Sequence, residues 1–154
     1  MIVEVIQLML APGIMISACG LLLLGMNNKY SLVVNRIRLL NEERRRMVIK
    51  ASGKEFSYDE NIRFESISQQ LTRLAYRVKL VRNAVLSYTL AVAFFVLTSL
   101  FIGVNFLLDS PRLGVLIITL FLVGMISVLG GIIFAAYETV KGYDIIQLEV
   151  KIDE

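Results

Sequence analysis

Three long apolar stretches, separated by segments dense in charge, organise the chain. The first runs from about Val5 to Met26, the second from about Val85 to Leu108, the third from about Leu113 to Tyr137. Each holds about 20 residues or more, enough for a helix to cross the roughly 30 Å hydrocarbon core of a bilayer. The pattern predicts an all-α membrane protein with three transmembrane helices. Asp109, Ser110, Pro111 and Arg112 separate the last two stretches, a tight turn with Pro as its stop signal.

Between the first and second stretches the periodicity changes but does not vanish. Nothing breaks a helical pattern from Asn28 to Lys50, so the first span should continue out of the bilayer by about 24 residues, or roughly 35 Å. Val33, Ile37, Leu40 and Met47 keep a packing stripe there, with Arg44 in one slot. Ala51 to Tyr58 interrupts the helix, with Gly53 as a C-cap, and Asp59 caps the return helix. From there Ile67, Leu71, Leu74, Val78, Val81 and Val85 alternate steps of four and three, the seam of a coiled coil running into the second span. The expected layout is one membrane domain: spans 5–26, 85–108 and 113–137, an antiparallel helical hairpin over 27–84 formed by extensions of the first two spans, and a tail over 138–154.

Composition supports this reading and charge orients it. The chain has 154 residues, is 56% hydrophobic and carries a mean hydropathy of +0.70, too apolar for a small soluble domain. Net charge is only +3, but residues 27–83 hold 13 of the 16 Lys and Arg against 6 acids, while 138–154 hold five acids and two bases. Basic loops stay on the cytoplasmic side. The hairpin and C-terminus are therefore expected inside and the N-terminus outside. A secretory signal peptide fits poorly, because only Glu4, and no basic residue, precedes the first apolar run.

Candidate chemistry is sparse. There is no His and a single Cys, Cys19, which excludes an internal disulfide and a Cys/His zinc site. Cys19 lies mid-span and reads as a small packing residue. No nucleotide-, hydrolase- or metalloprotease-type motif occurs, no cofactor is implied, and the expectation is a protein without catalytic residues. Three spans without an internal repeat also argue against a carrier.

Two stripes stand out. On the first helix Gly13, Ser17, Gly20, Leu24, Asn28, Ser31, Asn35, Arg38 and Glu42 share one face, small and weakly polar in the membrane, charged beyond it. This is either a helix–helix packing face or the lining of a water-filled path in a homo-oligomer. A pore would set Glu4 near its outer mouth, Leu24 in a hydrophobic gate, and Arg36, Arg38, Arg44 and Arg45 near its inner mouth. On the third span Gly124, Ser127, Gly131 and Ala135 form a small-residue ladder suited to packing. Pro12, inside the first span, is a hinge or a static bend.

The basic residues suggest partners. Lys29, Arg77, Lys79 and Arg82 lie near the membrane surface and suit anionic lipid headgroups. Arg44, Arg45 and Arg46 lie further out and suit acids of the tail, a neighbouring subunit or a cytoplasmic protein. Nucleic acid is disfavoured, because Glu42, Glu43 and Glu55 dilute the charge and no aromatics interleave. These features leave two functions open: an oligomeric ion channel with the first helix around its axis, or a non-conducting scaffold or assembly factor docking through its basic hairpin.

The segment Leu10-Ala11-Pro12 with Ser17-Ala18, and then Asn27-Asn28-Lys29-Tyr30 through Asn35-Arg36-Ile37-Arg38-Leu39, resembles an uncharacterised family of small bacterial membrane proteins, a domain of unknown function. The resemblance covers most of the chain and is most specific at Asn35-Arg36-Ile37-Arg38. It implies the three-span layout and a bacterial inner-membrane location, and it carries over no activity, substrate or site.

Overall fold

The computed structural model describes residues 2–50, 58–108 and 111–152, with the side chains of 3–50, 58–108 and 113–142. Every described element is a helix: α1 over Ile2–Lys50, α2 over Tyr58–Leu108 and α3 over Pro111–Ile152. All three are long and apolar enough to cross a membrane, with best-window mean hydropathies of 2.1, 2.3 and 2.7, the layout of a multi-pass membrane protein. Most of each apolar window lies on the outside of the bundle. Leu21, Leu107, Val115 and Ile126 are exposed. Apolar surface of that extent needs a non-aqueous solvent.

Two of the helices run unbroken well beyond the spans. α1 reaches Lys50 and α2 starts at Tyr58, so the antiparallel polar hairpin is built from extensions of the first two spans. Gly53 lies outside the described residues. Asp59 does not cap α2 from outside; it sits with Glu60 in the first turn, where carboxylates complement the positive end of the helix. Asp109 and Ser110 also lie outside the described residues. Pro111 opens α3, a position where its missing N–H costs nothing. α3 continues through most of the tail. Pro12 is buried inside an uninterrupted α1.

The core is a set of seven-residue repeats. On α2, Ile67, Leu74, Val81, Tyr88, Phe95 and Ile102 recur at that interval, and each is 9% exposed or less. On α1, Pro12, Cys19, Met26, Val33 and Leu40 do the same and are all buried. The two lines run antiparallel. Val33 and Leu40 pack with Leu74 and Ile67 in the hairpin, Met26 with Val81 and Tyr88 at its base, and Cys19 with Ala91 and Phe95 in the span. Seven-residue spacing keeps one seam facing the partner over many turns. The seam expected from Ile67 to Val85 is present, with Leu71, Val78 and Val85 packed beside its fully buried members.

α2 is the spine: α1 and α3 both pack along it and scarcely touch each other. α3 meets it through the small ladder. A methyl group built on Gly124 would lie 2.8 Å from Cε1 of Phe95, and one on Gly131 would lie 2.5 Å from Cε1 of Tyr88. The rings of α2 fill the hollows that these glycines leave, seven residues apart on both helices. Phe121 adds a tilted ring contact to Phe95 at 5.5 Å between centroids. Such close approach is how helices gain contact energy where lipid supplies no hydrophobic drive.

Candidate functional site at the base of the hairpin

One polar cluster joins all three helices. Seven residues after Gly131, the α3 ladder reaches Glu138, whose side chain is 1% exposed. Arg77 of α2 donates to its Oε1 from Nη2 at 2.6 Å and from Nε at 3.2 Å. Lys29 of α1 donates to its Oε2 at 3.0 Å and to Oγ1 of Thr139 at 3.1 Å. The Thr139 hydroxyl in turn donates to the carbonyl of Ala135 at 3.0 Å. Gly142, one turn beyond Glu138, makes room for the guanidinium: a Cβ there would lie 2.9 Å from Nη2 of Arg77.

A buried carboxylate needs its charge and lone pairs answered, and here two cations answer both oxygens. The cluster keeps one excess positive charge, with Lys29 still 45% exposed. Lys29–Glu138 is also a direct bond between α1 and α3, two helices with little other contact. Any shift of α1 against the other two must strain it.

The other hairpin ion pairs are solvated. Arg46 bonds Glu42 one turn earlier at 2.6 Å, Arg63 crosses to Glu43 at 2.9 Å, and Lys50 crosses to Glu60 at 3.5 Å. Each is an exposed pair worth about 0.2–1 kcal/mol. Arg38, Arg44 and Arg45 are exposed and make no ion pair among the described residues. Lys79 and Arg82 are exposed, and Arg82 reaches only Oδ1 of Asn83 at 3.4 Å.

The small–polar stripe of α1 points away from both other helices. Gly13, Ser17, Gly20, Leu24, Asn28, Ser31, Asn35 and Arg38 are all exposed. A Cβ built on Gly13 or Gly20 would meet nothing within 4 Å. Glu4 stands apart from them, on the side of α1 nearer the core, by the 100° step of the helix. It lines a cavity of about 610 Å³ at the end of the bundle opposite the hairpin, together with Leu8, Ile102, Asn105, Phe106 and Ile117. The Oδ1 of Asn105 is the one buried side-chain acceptor among the described residues that has no hydrogen-bond partner. A second, almost wholly apolar hollow of about 340 Å³ lies between Met15, Met125 and Ile132.

Sequence reasoning named Lys29 and Arg77 but not their shared partner. Lys29 is 109 positions from Glu138 and Arg77 is 61, so no local spacing announces the cluster. A signal existed: Glu138 sits one repeat after Gly131 on a buried line. Among the described residues no three His, Cys, Asp or Glu come together as metal ligands.

The chain was compared with known proteins. The family model described as "Protein of unknown function (DUF2721)" matches residues 9–148. No curated protein and no solved structure matches it.

Proposed function

Because the chain belongs to the DUF2721 family, whose description carries no activity, we propose from geometry alone that it is a homo-oligomeric, non-enzymatic ion channel with α1 around the axis. The observation behind this is the outward stripe of α1. A hydroxyl or amide facing lipid without a partner costs about 1–3 kcal/mol, and glycines facing lipid gain no packing. Copies of the chain arranged with this stripe inward would give Ser17, Asn28 and Ser31 water or one another. Leu24 then forms the apolar constriction, and Arg38 gives the wide end a ring of positive charge. By its basic residues the hairpin faces the cytoplasm of a bacterial cell, the N-terminus lies outside, and the spans cross the inner membrane.

Reconstitution in planar bilayers tests this. Stepwise conductance is expected, and Leu24→Ser should raise it. A silent bilayer at both voltage signs and varied salt, from protein shown to be oligomeric, overturns the reading.

A second reading has its own support. The hairpin carries Arg44 and Arg45 without ion-pair partners, further from the spans than a pore entrance needs. A scaffold would use them to dock a cytoplasmic acidic protein or anionic lipid. Charge reversal at Arg44 and Arg45 should then abolish co-purification of that partner while conductance is absent throughout.

A further inference from the structure

We propose that the cavity at the end of the bundle opposite the hairpin is a binding site for a small organic ammonium ion. It is independent of whether α1 surrounds a pore. The cavity lies where the first turns of α1 and α3 meet the last turns of α2. Its volume of about 610 Å³ falls within the range of small-molecule sites.

Three features of the lining converge on one ligand chemistry. The first is the Oδ1 of Asn105, buried and without a donor. An amide oxygen in that state costs free energy until a donor reaches it. The second is the carboxylate of Glu4, which sets the polar side of the cavity as anionic and adds charge-assisted acceptors. The last turn of α2, holding Asn105 and Phe106, adds the negative end of a helix dipole. The third is the rest of the wall: Leu8, Ile102, Phe106 and Ile117 offer hydrocarbon, and Phe106 also offers an aromatic face to a cation.

A primary ammonium with a short hydrocarbon body uses all of these at once. Its N–H groups donate to Asn105 and Glu4, its charge sits against the carboxylate, and its body covers the isoleucines and Phe106. A bare metal ion is a poorer match, because one carboxylate and one amide supply too few oxygens. An anion is repelled by Glu4. The ammonium has two sources in a membrane, a free amine or the headgroup of an ethanolamine lipid.

The test uses the full chain in nanodiscs of phosphatidylcholine, which has no N–H donor, titrated with phenethylammonium and read by calorimetry against empty discs. Saturable binding near one per chain is expected, and the neutral isostere 2-phenylethanol should bind at least about tenfold more weakly. Glu4→Gln and Asn105→Leu should each weaken the ammonium by a similar factor. Asn105→Asp, which keeps shape and adds charge, should tighten it, so a destabilised Leu variant does not leave the question open. Discs containing phosphatidylethanolamine separate the sources: competition identifies the lipid headgroup, and its absence identifies a free amine. No saturable heat, or binding unchanged by both Glu4→Gln and Asn105→Asp, overturns the proposal.

Discussion

The protein carries two glycine faces, and they meet opposite fates. On α3, Gly124 and Gly131 are filled from within the chain, by the rings of Phe95 and Tyr88. On α1, Gly13 and Gly20 face open space. Residue type is the same and the environment is lipid-like in both. What differs is whether the opposite helix offers a large side chain at matching intervals. α2 spends its two aromatic rings on α3, and gives α1 Ala91 and Val81 around Cys19 and Met26. A small-residue face is thus a request for a neighbour, and only the sequence opposite it says whether the request is met within the chain. The unmet one, on α1, is where another copy is to be sought.

Three substitutions break or sharpen that contrast. The largest effect belongs to Gly131→Leu. A side chain there collides with the Tyr88 ring on a backbone that cannot retreat, so a loss above about 3 kcal/mol is expected. Thermal unfolding in detergent, followed by circular dichroism, reads it; a midpoint within a degree of the parent breaks the account of α3. Next is Glu138→Ala, which leaves Arg77 and Lys29 without their shared carboxylate at a buried position. A loss of about 3 kcal/mol is expected, at the low end for a buried pair because Lys29 keeps contact with solvent. Glu138→Gln should recover part of it, and a double-mutant cycle with Lys29→Met should show the coupling. The smallest effect on the protomer belongs to Gly20→Leu, below about 0.5 kcal/mol, because nothing lies beside it. Yet the same change should shift the particle mass measured by light scattering, if copies meet there. An unchanged assembly removes the argument for α1 at the centre.

The architecture was legible in the sequence wherever physics is local. Twenty-residue apolar runs mark spans, and the stepping from Ile67 to Val85 marks the hairpin seam. What sequence alone understated is how far that seam extends: the seven-residue lines pass through Met26 and Val81 into the spans, where lipid-facing residues are as apolar as core ones and hide the alternation. The stripe of α1 was legible as a surface, and its orientation away from α2 and α3 required the fold. The Lys29–Glu138–Arg77 cluster was not legible, nor was the pairing of Glu4 with Asn105 around one cavity. Both join residues scores of positions apart, and antiparallel register alone decides which charges arrive together. A lone acid at the end of an apolar run reads as a boundary marker until two basic residues are seen to converge on it.

The unbroken repeat shared by α1 and α2 has a mechanical consequence. Buried side chains interlock from Pro12 to Leu40 on one helix and from Ile67 to Phe95 on the other, with no glycine hinge on the buried line. A close-packed seam of that length resists bending and transmits displacement instead of absorbing it. The aqueous tip and the lipid-embedded half therefore behave as a single lever whose fulcrum is the Lys29–Glu138–Arg77 clasp. A load applied to the tip is delivered across the water–lipid boundary as tilt.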